Sequence, residues 1–509
     1  MASATKNIET NRVETMPDII REYLRGIGKE TLPTDWYSTV AKWRSWYRGK
    51  VEDFHFYKQY NGMQMVQRER KSLGMAKKVC EDKADLLLND KCSIHMANAT
   101  DQEFLDSVFE STHFWPRANQ LVELSAALGS GAFVEYLNNN RIEIDCISAD
   151  CCFPLSWDGD GVKESAFASH VVTPTGQQIY INTHTLDDKG NYIINNAFLD
   201  KNGKILPLPK GMIDVINTNS PVPAFQYIKP SGVNNYDTTN PLGVSIYANA
   251  IDLLKSIDLI FDSYGNEFQL GKKRIIVRDD ASRIIPVNGG SAYAPVFDAN
   301  DVEFYAMHIN GDEDKSAPVT EINMNIRAQE HELALQRHLD LLSERCGFGK
   351  GYYQTSADSG VQTATEVISQ NSQLFRRIRK DEIILNWALI GVVNSIFVIA
   401  GRPLPNGYPI KVNFDDSIVE DTDSEARRAL SEVQSGIISR KQYLKTVYDL
   451  SDEQAQQIVD EADEEAEREA PPAEDPNALF GNNGGPSEKQ PEEQPGEQPE
   501  EQPEEQPEG

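Results

Sequence analysis

Apolar residues recur at helical spacing early in the chain: Trp36, Val40, Trp43 and Tyr47 fall on one face of a segment covering about 33–50. That aromatic stripe reads as packing on a core rather than as a base-stacking platform. A second helix is predicted through GMAKKVCEDKADLLL, with Met75, Val79 and Leu86 to Leu88 as its apolar side. A third covers 118–128, and Gly129 and Gly131 suit its C-terminal end. From 132 to about 209 the period drops to two. FVEYL, RIEIDCI, ESAFASHVV, QIYINTHTL and NYIINNAFL alternate between NNN, DGDG, DDKGN and DKNG turns, which predicts an antiparallel meander.

A Pro-, Asn- and Gly-rich loop (218–240) is followed by a helix signal: Asn240 as N-cap, Pro241 in the first turn, then Ile246, Ala250, Leu253, Leu254, Ile257 and Phe261 as the apolar face. After Gly271, KKRIIV opens a compact run of short strands and turns that lasts to about 319, and a further helix is predicted over 326–345, ending at Cys346 and Gly347. Thr363 and Glu366 form a capping box for a long helix that can run to Ala400. Its final part, IILNWALIGVVNSIFVIA, is long enough for a membrane span. Asn386, Asn394 and Ser395 within it favour a helix buried in protein. One strand is predicted in YPIKVNFDDSI, and amphipathic helices over 423–435, 440–448 and 452–469, with Ser439 as an N-cap.

Composition changes this picture in three places. The formal charge of -30 argues against a tight nucleic-acid binder, yet residues 451–509 hold 20 acidic and 2 basic side chains, so the remaining 450 carry only -12. The segment from Pro471 onward, ending in EQPEEQPE repeats, has the composition of a disordered tail. Six cysteines without CxxC spacing, and His170 and His184 without a third ligand, give no metal site; Cys151 and Cys152 read as buried, reduced thiols. The N-terminal MASATKNIETNRVE has no apolar h-region, so no secretory signal is expected.

Catalytic motifs fail on inspection. GFGKGYYQTSADSG (347–360) matches neither GxxxxGK[ST] nor GxGxxG, and Gly28-Lys29 lacks the earlier glycine of a P-loop, since Tyr23 stands there. HExxH and GxSxG are absent. No enzyme activity, cofactor or metal is expected.

Four stretches in fixed order carry a resemblance: MAKKVCEDKADLLLND (75–90), LVELSAALGSGAFVEY (121–136), SGVQTATEVISQNS (359–372) and IKVNFDDSIVEDTDSEARRALSEVQSGIISRKQYL (410–444), with a helix–β insertion–helix unit between the second and third. In that order the chain resembles the portal proteins of siphovirus-type phages of Gram-positive hosts, over nearly all its length except the acidic tail.

The resemblance implies an α+β portal fold: a mainly helical wing and crown, a β-rich wing insert, and two stem helices carrying a small α/β clip. It divides the chain into wing (1–240), stem helix (241–268), clip (269–325), second stem helix (326–346), tunnel loop (347–362), long wing helix and strand (363–414), crown helices (415–470) and acidic tail (471–509). It implies a homo-oligomeric ring, typically a homododecamer, at one capsid vertex of the virion. Double-stranded DNA crosses it without sequence readout. The terminase large subunit and then head-completion or adaptor proteins dock on the clip, beside major capsid and scaffolding proteins, and no membrane is involved. On this reading Lys350, Tyr352, Tyr353, Gln354 and Asp358 of the tunnel loop face DNA, and Lys272, Lys273, Arg274 and Arg278 of the clip meet partners. The competing expectation is a membrane-associated or other structural scaffold anchored by the apolar helix 383–400.

Overall fold

The computed structural model of the protein describes residues 16–60, 63–89, 91–173, 176–271, 274–278, 284–287, 292–295, 304–307, 319–322, 325–354, 364–405, 410–414, 430–433, 435, 437–447 and 455–462. The chain divides into two compact units, Met1–Val419 and Glu420–Gly509.

In the first unit, helices α1 (Met16–Gly26), α2 (Thr34–Tyr47) and the short α3 (Glu52–His55) lead into a hairpin of β1 (Phe56–Tyr60) and β2 (Met65–Glu69). Helix α4 (Met75–Leu87), strand β3 (Ser93–His95), α5 (Ala99–Thr112) and α6 (Phe114–Leu128) follow. Of the predicted α2 stripe, Trp36, Val40 and Trp43 are buried and Tyr47 packs partly buried against the core; the Trp36 and Trp43 rings meet edge to face at 5.6 Å. Helix α5 starts where the Asn98 side chain accepts the N–H groups of Thr100 and Asp101.

The region of period two forms two sheets rather than one meander. Strands β4 (Gly131–Asn138) and β5 (Arg141–Ser148) pair antiparallel. A later strand, β12 (Phe225–Ile228), adds to the other side of β4. The second sheet runs β10 (Ile205–Leu206), β9 (Tyr192–Leu199), β8 (Gly176–Leu186), β7 (Gly161–Thr173), β6 (Cys152–Asp158), with β11 (Val215–Asn217) also on β9. Cys152 is fully buried on β6, and burial holds its thiol well above the usual range; the Cys151 thiol is pushed up to about 12 for the same reason.

The helix expected from Asn240 onward begins later: α7 is Ile251–Leu270. Asn240 does cap, but it caps a turn, accepting the N–H of Leu242 at 2.9 Å. Tertiary contact then stops a helix from forming. The Gly243 N–H donates to Ser130 Oγ at 3.0 Å, the Ile246 N–H donates to the Ala126 carbonyl at 2.9 Å, and Leu242 and Val244 are buried. The backbones of Gly129 and Gly243 are so close that a Cβ on Gly129 would lie 2.5 Å from the Gly243 carbonyl oxygen. Gly129 also ends α6 at φ +88°, which glycine alone adopts without strain.

Helix α8 is Ala328–Cys346 and α9 is Ala364–Ile399, 36 residues and so about 54 Å long. The capping-box threonine, Thr363, lies outside the described residues. The strand Lys411–Asn413 pairs with β3. Helix α9 packs against β12 and β4, and its Leu385, Leu389, Val392, Val393, Ile396 and Phe397 are buried, the last meeting Phe104 of α5 edge to face. At Gly391 a Cβ would collide with Gln226 Oε1, so the close approach of helix to sheet depends on that glycine. Under α9 lies Glu135 of β4, 1% exposed, with neither carboxylate oxygen in a well-formed hydrogen bond. Burial pushes its carboxyl up to about 8, with the Ser395 hydroxyl of α9 partly opposing the rise.

In the second unit the helix Arg440–Val447 is capped as expected: Ser439 Oγ accepts the N–H of Gln442 at 3.1 Å. Most of the predicted helix 423–435 and all of the acidic tail from Pro471 lie outside the described residues.

Candidate functional site: paired helices, their tip and their foot

Helices α7 and α8 lie against each other and run in opposite directions. Near the start of the pair, Asp258 fixes α7 to the β1–β2 region. Its buried carboxylate accepts His55 Nε2 at 3.0 Å, Ser72 Oγ at 2.9 Å and the Leu73 N–H at 2.8 Å. His55 Nδ1 accepts the Val51 N–H, so Nε2 carries the proton given to Asp258.

At the far end Glu267 of α7 closes the pair. Arg327 Nε donates to its Oε1 at 3.0 Å and Nη2 to its Oε2 at 2.9 Å, a bidentate fork. His331 Nε2 stands 3.5 Å from the same carboxylate and its ring stacks on Tyr264 at 5.4 Å. The Arg327 hydrogen bonds hold the Glu267 carboxyl down to about 2. The chain therefore leaves at Gly271 and returns beside it: a Cβ on Gly271 would be 3.2 Å from Ile326 Cγ1.

Between these points hang short strands. Arg274–Arg278 pairs in parallel with Phe304–Met307 and antiparallel with Val319–Ile322, and Ile284–Val287 pairs with Ala292–Pro295. Where an α/β clip was expected, the described residues are strands. Arg274 and Arg278 mark the two ends of the first strand; Lys272 and Lys273 lie outside the described residues.

The foot of the pair is a loop built on glycine. Gly347, Gly349 and Gly351 have φ of +91°, +89° and +84°. Phe348 is buried, its N–H donates to the Ser343 carbonyl at 2.9 Å, and Ser343 Oγ donates to the Gly349 carbonyl at 2.6 Å. Among the loop residues expected to face DNA, Tyr353 is held within the chain: its hydroxyl donates to Asp82 Oδ2 of α4 at 2.8 Å, and its carbonyl accepts Gln336 Nε2 at 3.2 Å. Burial, then Asp82, hold that phenol far above its ordinary value. Tyr352 is 41% exposed, Lys350 is exposed, Gln354 lies beside Gly351, and Asp358 is outside the described residues.

Next to the loop, Lys83 of α4 and Asp381 of α9 form a buried ion pair. Desolvation lowers the Lys83 pKa, and Asp381 opposes that. Asp381 Oδ1 also accepts the Ser231 N–H at 2.6 Å, which ties α4, α9 and the 230 loop together. Neither this pair nor the Tyr353–Asp82 bond was readable in the sequence, because each joins residues hundreds of positions apart with no motif around them.

Among the described residues no group of three His, Cys, Asp or Glu side chains is placed to hold a metal ion. Residues 374–399 of α9 are long and apolar enough, by length and composition, to cross a membrane; half of the most apolar stretch is buried inside the protein. A soluble core helix passes the same test.

Paired helices with a tip of strands, a glycine loop at the foot and a long helix over a sheet make up a mixed helix-and-sheet protein. Residues 34–468 match the model of the phage portal protein family of the SPP1 Gp6-like type, and the chain belongs to that family: it is a phage portal protein. No curated protein matches the sequence. Among solved structures, the chain is similar to one described as the neck of an empty gene transfer agent (GTA) particle computed with C6 symmetry. The two share 12% identity, 84% of this chain and 98% of that one are covered, and the TM-score is 0.41. A chain described as from the virion of a native gene transfer agent particle gives 12% identity, the same coverage and a TM-score of 0.42.

Proposed function

We propose that the protein acts without catalysis, as one subunit of a homo-oligomeric ring, a homododecamer, set at a capsid vertex of the virion and traversed by double-stranded DNA. Helices α7 and α8 are the stem, the strands between them the clip, the loop 347–362 the tunnel loop, α9 the long wing helix, and the segments after 415 the crown. The clip docks the terminase large subunit during packaging and head-completion or adaptor proteins afterwards, while the ring sits among major capsid and scaffolding proteins. In the host cytoplasm this ring assembles before the capsid fills.

The observation that carries this reading is the α7–α8 pair, anchored at Asp258 and clasped at Glu267–Arg327, with a compact strand unit at its tip and a glycine loop at its foot. Such a rod can span a ring wall and present docking groups at one end and a loop to the bore at the other. A net charge of only -12 over residues 1–450 suits a wall past which polyphosphate must slide without tight contacts. Negative-stain images of the purified full chain test it. Rings with a central hole are expected, from detergent-free buffer; monomers alone, or a protein that needs detergent, would sink the reading.

A further inference from the structure

A closed ring of more than two subunits brings unlike patches of neighbouring copies together, so each subunit needs a surface that only a neighbour covers. One face of α9 has that character. Trp387 is 70% exposed and Ile383 58% exposed, in the middle of a helix whose opposite side is fully buried. Lys380 precedes them by three and seven residues, so the three side chains form one line.

The adjacent line of the helix, Arg377 and Asp381, borders a recess of about 370 Å³. Lys83, Arg345 and Arg377 line it, with Pro230, Val233 and Val244 as apolar wall. The Lys83 charge is taken up by Asp381. Arg345 and Arg377 have no acidic partner among the described residues, so the recess keeps two free positive charges. The site is shaped for Arg377: a Cβ on Gly347 would lie 3.0 Å from Arg377 Cγ, so that glycine leaves room for the side chain.

We infer that Lys380, Ile383, Trp387 and the recess holding Arg345 and Arg377 form the surface on which a second copy of this chain docks through an acidic patch with an apolar centre. Charge complementarity selects that occupant. Residues 1–450 total -12 with these cations included, so the surface elsewhere is more acidic still. A DNA backbone would satisfy the arginines but offers nothing apolar to cover Trp387 and Ile383.

This inference rests on the ring reading, and the test separates the two. The full chain carrying photo-reactive benzoylphenylalanine in place of Trp387 is purified, imaged and irradiated. Covalent dimers and a ladder of higher multimers on a denaturing gel are expected. In sedimentation velocity, Trp387→Asp and the double variant Arg345→Glu/Arg377→Glu should need about tenfold more protein to form rings. Below ring-forming concentrations, their circular-dichroism melting should match that of the unaltered chain. Rings that form normally in all variants with no cross-link overturn the inference, as does a cross-link from 387 only to another virion protein. If a variant misfolds, the cross-link decides. Absence of rings from the unaltered chain refutes the ring reading instead.

Discussion

Replacing Glu135 by glutamine should make the protein more resistant to alkaline conditions, because the buried carboxyl is a liability once it must ionise. Its pKa stands near 8 in the folded protein against an ordinary 4.5. Between those values the folded state holds a proton that the unfolded state has released, so stability falls as pH rises and levels off above about 8. At about 1.4 kcal/mol per pH unit the ceiling is about 4–5 kcal/mol. Water entry beside Ser395 on ionisation reduces this, and about 2–3 kcal/mol is expected between pH 5 and 9. Glu135→Gln keeps the shape and removes the titration. Denaturant unfolding of both proteins at one concentration, which holds the assembly contribution constant, should give nearly equal stabilities at pH 5 and a variant about 2–3 kcal/mol more stable at pH 9. Parallel pH profiles for the two proteins would refute the reasoning, for they would mean that Glu135 ionises as easily folded as unfolded.

Lys83→Met should cost about 3–5 kcal/mol by leaving Asp381 charged and buried, whereas Lys83→Met combined with Asp381→Leu should recover most of the loss, both read from denaturation midpoints. Gly129→Ala must strain a backbone at φ +88° and push against the Gly243 carbonyl; a loss of about 3 kcal/mol or more, seen as poor soluble yield and a lowered melting temperature, is expected. Tyr353→Phe removes the hydroxyl bond to Asp82, worth about 1 kcal/mol. Hydrogen exchange should quicken at residues 350–354 while global melting barely moves.

How far the sequence could be read follows from which forces were local. Helix α6 ended at Gly129 and α8 at Gly347 because both glycines sit at positive φ, a requirement carried by the residue type itself. The Trp36–Val40–Trp43 stripe and the Ser439 cap were equally local and were found where expected. Asn240-Pro241 shows the limit: the capping hydrogen bond exists, yet Gly243 pressed on Gly129 decides that a turn, not a helix, follows it. Helices α1 and α5 and the β1–β2 hairpin went unread. At the candidate site the helix–insertion–helix order was legible as alternating periods. The clasp, the tyrosine tether and the buried Lys83–Asp381 pair were not, since each depends on which distant elements the fold brings together.

The close apposition of Gly271 and Ile326 has a consequence for how such a protein can vary. The described strands between Arg274 and Ile322 are carried on two adjacent stretches of backbone, as a cassette in a socket. A different cassette, longer or shorter, could be fitted there without moving α7 or α8, since the Glu267–Arg327 fork holds the socket closed from below. On the proposed reading, in which this piece is the docking clip, docking specificity can change there while the helices that carry it stay as they are.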